Sequence, residues 1–101
     1  MPDWKTIPVD HPALPGHFPG QAIVPGVVLL SQIWDAVCQQ VGKPVQCSGW
    51  PSVKFLAPLH PGVAFCVDVE TGETPSAKFV CKTASHIIAR GSVKFSIEDD
   101  T

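Results

Sequence analysis

The sequence predicts an α+β protein, with one apolar helix laid against a single curved antiparallel sheet. Three observations predict it. Apolar residues keep helical spacing over one stretch only, from Val27 to Val41. The apolar period then changes to two and stays there almost to the C-terminus. Segments rich in proline and glycine stand at the changes of period. The chain has 101 residues, enough for one small domain and too few for two. It is 45% hydrophobic and 16% charged, a globular composition. A domain of this size buries only ~60–65% of the surface its unfolded chain exposes, so burial against a subunit partner would add usefully to its stability.

The first residues hold a short strand candidate, "DWKTIPV". The segment "DHPALPGHFPGQAIVPG" follows, and its four prolines leave little room for regular structure. A loop this long in a compact domain is often functional. Pro25 suits the first turn of the next helix, where its missing N–H costs nothing. The helical stripe is Val27, Leu30, Trp34, Val37 and Val41, widened by Leu29, Ile33 and Cys38. Gly42 can cap its C-terminus, and Pro44 prevents continuation. Apolar coverage this wide exceeds what a surface helix needs, so something should wrap the helix.

The strands follow. Val53 and Phe55 alternate with Lys54, and Val63, Phe65, Val67 and Val69 alternate with Ala64, Cys66, Asp68 and Glu70. Ala77, Phe79 and Cys81 alternate with Lys78, Val80 and Lys82. The last and longest strand alternates Ile87, Ala89, Gly91, Val93, Phe95 and Ile97 with His86, Ile88, Arg90, Ser92, Lys94 and Ser96. "PLHPG", "TGETPS" and the weaker "TAS" are the turns between them. The edge of so small a sheet is a liability that pairing with a second copy would remove.

Composition also excludes functions. The net charge is −2, with no basic run and no aromatic residues interleaved with Arg or Lys, so nucleic acid is a poor partner. The longest unbroken apolar run, "VVLL", is far short of the ~20 residues a membrane span needs, and the N-terminus has no apolar signal core. The expectation is a soluble cytoplasmic protein. The four cysteines, Cys38, Cys47, Cys66 and Cys81, form no C-x-x-C pair and lie in or beside apolar stretches. They read as structural thiols, against a disulfide framework or a zinc site.

The stretch "GHFPGQAIVPGVVLLSQIW" resembles the signature of the 3-hydroxyacyl-(acyl carrier protein) dehydratases, and "VKFLAPLHPG" resembles the strand and turn that follow it in that family. "HPALPGHFPGQAIVPGVVLL" is most similar to short stand-alone members from bacterial polyene pigment clusters. The resemblance covers residues 11 to 97 and implies a hot-dog fold, in which a sheet wraps a long helix, usually in a dimer. It implies that His17 is the catalytic histidine, exchanging a proton at C2 of an acyl thioester. It implies that the Gly26 N–H points at the thioester carbonyl, with Val27 supplying the next N–H. The physics agrees, because the first amides of a helix lack intrahelical partners and sit at its positive end. An enolate-like oxygen developing there would be stabilised. Gly16 and Gly20 would let the loop turn close to the ligand. Phe18 and Trp34 are expected to line the substrate site, Trp34 matching a tryptophan of one branch of the family.

The departure is Ser31. The family pattern has Asp or Glu there, fourteen residues after the histidine, and that acid helps the C3 hydroxyl leave from the partner subunit's side. A serine cannot supply a proton near neutrality as a carboxylic acid does, though it can hold a hydroxyl or a water. Ser31 therefore reads as a hydrogen-bonding stand-in in an altered enzyme, as a filler at a site that no longer dehydrates, or as an introduced replacement. Asp35 lies one turn on, on the same face, and that displacement of ~5–6 Å is too far for it to replace the acid directly. His11, His60 and His86 have no chemical company and read as structural or exposed. Lys54, Lys82, Arg90 and Lys94 fall on outward strand positions, a solvated face or a basic patch for an acidic carrier protein.

The expected protein is a hot-dog homodimer that binds a thioester of acyl carrier protein or coenzyme A and interconverts 3-hydroxyacyl and trans-2-enoyl forms. His17 and Ser31 would be the catalytic pair, without cofactor or metal. The rivals are an auxiliary subunit that pairs with an active homologue in a heterodimer, and a thioesterase, which would release free acid.

Overall fold

A computed structural model describes residues 4–8, 23–72 and 75–97. Its elements run α1 (Gly26–Val41), β1 (Val45–Phe55), β2 (Cys66–Thr71), β3 (Ser76–Lys82) and β4 (Ile87–Ile97). The strands form one sheet in the order β1-β4-β3-β2, with antiparallel neighbours throughout. The helix leans on the β2–β3 side.

Helix α1 ends as its sequence demands. Gly42 takes φ 73°, and its N–H donates to the Cys38 carbonyl at 3.0 Å. At the other end Pro25 is the N-cap, extended at ψ 147°, and Gly26 is the first helical residue. The buried line is Leu29, Ile33 and Val37, one every four residues. This rotates the helix away from the expected stripe, because Val27 is 76% exposed while Leu30, Trp34 and Val41 are half-buried. A helix apolar on more than one side does not reveal by periodicity which line meets the sheet.

Below the helix, Leu29 and Ile33 pack with Phe65, Phe79, Cys81 and Ala89. Val37 packs with Ala77, Val93 and Phe95. Trp50 of β1 touches both groups and meets Phe79 edge-on, with centroids 5.8 Å apart at 86°.

Four strands form, but their limits differ from expectation. Among the described residues the N-terminal strand candidate forms one bridge, in which Lys5 and Phe65 exchange N–H donation at 2.8 Å each way, while Asp3 and Val9 lie outside the described residues. Gly62 N–H also donates to the Ile7 carbonyl, and Pro8, lacking an N–H, can donate nothing further. β1 is far longer than the Val53–Phe55 alternation suggested. Its register shifts twice, between Cys47 and Gly49 and between Gly49 and Ser52, and each shift resets the side-chain period. β2 starts at Cys66, after adjacent Phe65 and Cys66 are both buried and Val63 is 42% exposed. In β4 the pairs Cys81↔Ala89 and Lys82↔Ile87 leave Ile88 as the extra residue. The bulge turns Ile88 inward beside Ala89 and leaves Ile87 outside, reversing their expected faces. The "TAS" turn is closed by the Thr83 hydroxyl, which accepts from the Ser85 and His86 amides at 3.3 and 3.1 Å.

Candidate active site at the start of the helix

Among the described residues, nothing accepts from the first two amides of α1. Val28 and Leu29 N–H both donate to the Pro25 carbonyl, at 3.0 and 3.1 Å. The amides of Gly26 and Val27 precede the first intrahelical bond. Among the described residues no side chain caps this end, and the first turn holds no acidic residue to offset its positive dipole. Two contacts hold it in place. The Val24 N–H donates to the Leu59 carbonyl at 2.8 Å, and Val24 is itself buried.

An apolar hollow of about 420 Å³ lies at the helix start, lined by Ile23, Gly26, Leu29, Phe55, Leu59 and Ile88 among others. Gly26 forms part of its wall, where a side chain would press on the Phe55 ring. A Cβ there would stand 3.2 Å from Cζ of Phe55. The chain reaches the hollow from β1 through a bend in which Leu56 and Ala57 N–H donate to the Ile88 carbonyl, at 2.8 and 3.3 Å. Apolar walls next to the first residue of a helix suit an acyl group whose one polar atom is a carbonyl oxygen. A larger hollow of about 560 Å³, between the second half of the helix and β2, is lined by Lys5, Gln39, Asp68 and Lys82 and holds none of the candidate site residues.

The site residues expected from the sequence divide into three groups. Gly26 and Val27 stand at the helix start as described, with the Val27 side chain in solvent. Ser31 is exposed on the face away from the buried line. It lies five residues past Gly26, which is ~7.5 Å along the axis and ~140° around it. Gly26 and Ser31 of one chain therefore do not converge. Trp34 is half-buried and packs its ring on Phe95, with centroids 6.4 Å apart, one step deeper along the helix. His17 and Phe18, with Gly16, Gly20 and His11, lie outside the described residues. Asp35 is exposed one turn beyond Ser31.

Phe55, Ile23, Leu59 and Ile88 were not read as site residues. Phe55 passed for one more inward strand residue, yet it is 51% exposed. The signal was its neighbour, since Phe55 and Leu56 are consecutive apolar residues at a strand end.

All four cysteines are free. Cys66 and Cys81 are buried, as structural thiols should be, whereas Cys47 is exposed on the edge strand β1. Burial pushes the Cys81 thiol up to about 12, and nearby Cys66 adds to the effect. Burial, and then the Asp35 charge, also raises Cys38.

A helix packed on a four-stranded antiparallel sheet, with an apolar hollow at its start, defines a protein of hot-dog fold. The family model for ApeI-like proteins, described as ApeI dehydratase, matches residues 4–92, and the chain belongs to that family. It is 27% identical over 106 residues to a 3-hydroxyacyl-[acyl-carrier-protein] dehydratase FabZ of Acetivibrio thermocellus, covering 94% of this chain and 73% of that protein. Two solved structures share the fold. One is an uncharacterized protein from Erwinia carotovora subsp. atroseptica, with TM-score 0.80 and 19% identity, covering 93% of this chain and 80% of that one. The other is the dehydratase heterocomplex ApeI:P from Xenorhabdus doucetiae, with TM-score 0.78 and 22% identity, covering 91% and 82%.

Proposed function

We propose that the chain is a 3-hydroxyacyl thioester dehydratase in which a serine occupies the position of the usual acid. The observation that carries this reading is the apolar hollow beside Gly26 at the helix start, in a member of a dehydratase family. The thioester carbonyl would accept from the Gly26 and Val27 amides, which stabilise the negative charge as the C2 proton leaves. His17 takes that proton, since an imidazole exchanges protons near neutrality. The C3–O bond then breaks to leave the trans-2-enoyl thioester. The departing hydroxide needs one proton, and the imidazolium formed at His17 holds one. Ser31 has only to orient the leaving oxygen by hydrogen bond, so the balance closes without a carboxylic acid.

The site is composed across two copies. Gly26 and Ser31 diverge by ~140° on one helix, so a Ser31 beside the C3 hydroxyl belongs to a second subunit. The exposed apolar side chains Ile23, Val27, Phe55 and Leu56 gather near the helix start and support an assembly there. The substrate carrier is acyl carrier protein, which the FabZ relative's name carries, or coenzyme A.

Dehydration of a short 3-hydroxyacyl thioester, or hydration of crotonyl thioester, tests the reading. The unmodified chain should turn over, and His17→Ala should lower the rate ~10²–10⁴-fold. Ser31→Asp should raise it by restoring an acid. Turnover unaffected by His17→Ala would sink the mechanism, and free acid as the product would mark a thioesterase. A second reading is favoured by Ser31 alone: an auxiliary subunit whose carboxylate comes from a homologous partner. It predicts a silent chain that gains activity with Ser31→Asp or on mixing with that homologue.

A further inference from the structure

We propose that Cys47 is a site of thiol modification and that Cys38 is its resolving partner, so that a low-molecular-weight disulfide converts the pair to an internal Cys38–Cys47 bond. Neither the helix start nor Ser31 takes part, so the pair is independent of the proposed dehydration. The turn between α1 and β1 places the two residues on facing surfaces.

Helix α1 ends at Val41 and β1 begins at Val45, so three residues make the whole turn. Gly42 at φ 73° and Pro44 fix its course. Val41 and Val45 pack against the same buried group, Val37, Ala77, Val93 and Phe95. From that shared point Cys38 lies three residues back along the helix, ~4.5 Å, and Cys47 two residues on along the strand, ~6.6 Å. Cys38 shares its helix flank with Trp34 and Val41, the residues four before and three after it. Trp34 packs its ring on Phe95. Phe95 is buried and stands directly opposite Cys47. Pairing runs unbroken from Val45 to Cys47, and the first register shift comes only after Cys47. Directly opposite residues share a face, so Cys47 and Phe95 project from the helix side of the sheet. The two thiols thus flank Phe95, and Cys47 is near enough to add to the upward push on the Cys38 thiol.

Exposure sets the order of events. Cys47 is exposed and Cys38 half-buried, whereas Cys66 and Cys81 are buried. Burial, and then the Asp35 carboxylate, hold the Cys38 thiol above its ordinary value of 9.0, so it reacts second. Among the described residues no third ligand joins the pair to make a metal site. The Cys47 thiolate attacks one sulfur of oxidised glutathione, which forms a mixed disulfide and releases one glutathione thiolate. Cys38 then gives its proton to solvent, and its thiolate attacks the Cys47 sulfur. The Cys38–Cys47 bond forms as the mixed disulfide breaks and the second glutathione leaves. Two protein thiols are oxidised, and one glutathione disulfide is reduced to two thiols. The short turn keeps Cys38 at high effective concentration, which favours internal exchange over attack by a second molecule. The bond needs the two Cα atoms within ~7 Å, so it fastens the Trp34 flank of the helix to the edge strand β1.

Incubating the full chain with oxidised glutathione tests this, with intact mass and non-reducing peptide mapping as the readouts. One glutathione should add at Cys47 and then leave, with loss of two hydrogens from the protein and a linked Cys38–Cys47 peptide. Dithiothreitol should reverse the change. Cys38→Ser should arrest the reaction at a stable mixed disulfide on Cys47. Cys47→Ser should slow modification of the native chain roughly tenfold or more. Cys66 and Cys81 should react only in urea. The bridged chain should melt at a higher temperature than the reduced one. The peptide map of the unmodified chain is decisive even where a serine variant folds poorly. A mixed disulfide that persists on the unmodified chain, a bridge found only between two chains, or modification of Cys38 at an equal rate in Cys47→Ser overturns the proposal.

Discussion

Gly91 shows how one missing side chain shapes the sheet. A Cβ built there would fall on the backbone carbonyl of Ser52, across the β1–β4 pair. The close approach belongs to the stretch where β1 changes register, and no rotamer adjustment can relieve a backbone clash. Gly91→Ala should therefore destabilise by at least ~2 kcal/mol, read as a lower urea midpoint. Gly26→Ala meets only the edge of the Phe55 ring, a side chain that can move. Alanine favours the helix by up to ~1 kcal/mol, so stability should hold or rise while KM for the thioester worsens as the hollow narrows. Cys81 carries a pH signature. Its unfolded thiol titrates near 9.0, but burial holds the folded one at about 12. Below pH 9 both states keep the proton and Cys81 adds no pH dependence. From about 9 to 12 the unfolded chain loses it first, so stability should fall by up to ~1.4 kcal/mol per pH unit. Cys81→Ala should flatten that part of the curve in urea titrations at stepped pH. The sequence told of a buried thiol here, but not that its neighbour would be Cys66.

The elements were legible where one period ran unbroken. β3 alternates as read, with Ala77, Phe79 and Cys81 inside, and the helix ends at Gly42 as its cap residue requires. Legibility failed at each bulge. β1 hid its first eight residues because Ser48 and the Trp50–Pro51 step interrupt pairing, and β4 exchanged the faces of Ile87 and Ile88. A bulge is set by partner strands distant in sequence, so local alternation cannot announce it. The helix shows the complementary limit. Its two apolar lines look alike in sequence, and only packing against Phe65 and Phe79 selects Leu29–Ile33–Val37. Ile33 is fully buried, so Ile33→Ala should cost ~2–5 kcal/mol, against a much smaller loss for half-buried Leu30→Ala. Equal losses in chemical denaturation would mean that both lines are covered, as in a wrapped dimer. The candidate site divides the same way. The motif pointed to Gly26 and Val27 at a helix start, whereas Phe55, Leu59 and Ile88 reach it from three separate segments.

At the scale of the whole molecule, the sheet has two edges of unequal exposure. β2 is met by Lys5 at Phe65, while among the described residues nothing pairs with the outer side of β1. Exposed Val27, Phe55 and Leu56 lie toward that side, near the helix start. A second copy paired there would cover an unprotected edge and an apolar patch together, and would bring a foreign Ser31 toward Gly26. Val27→Glu separates assembly from folding. In an isolated protomer the side chain is 76% exposed, so the change should cost almost nothing. A carboxylate in the first helical turn should even add ~0.3–1 kcal/mol through the dipole. In a dimer the same charge would be buried in an apolar seam, which should shift sedimentation toward monomer at equal protein concentration. On the proposed two-subunit site, dehydratase turnover should fall in step with the dimer fraction, because each site would borrow its serine. A variant that stays dimeric, or one that turns over fully as a monomer, would show that the site is complete within one chain and that Ser31 stands outside it.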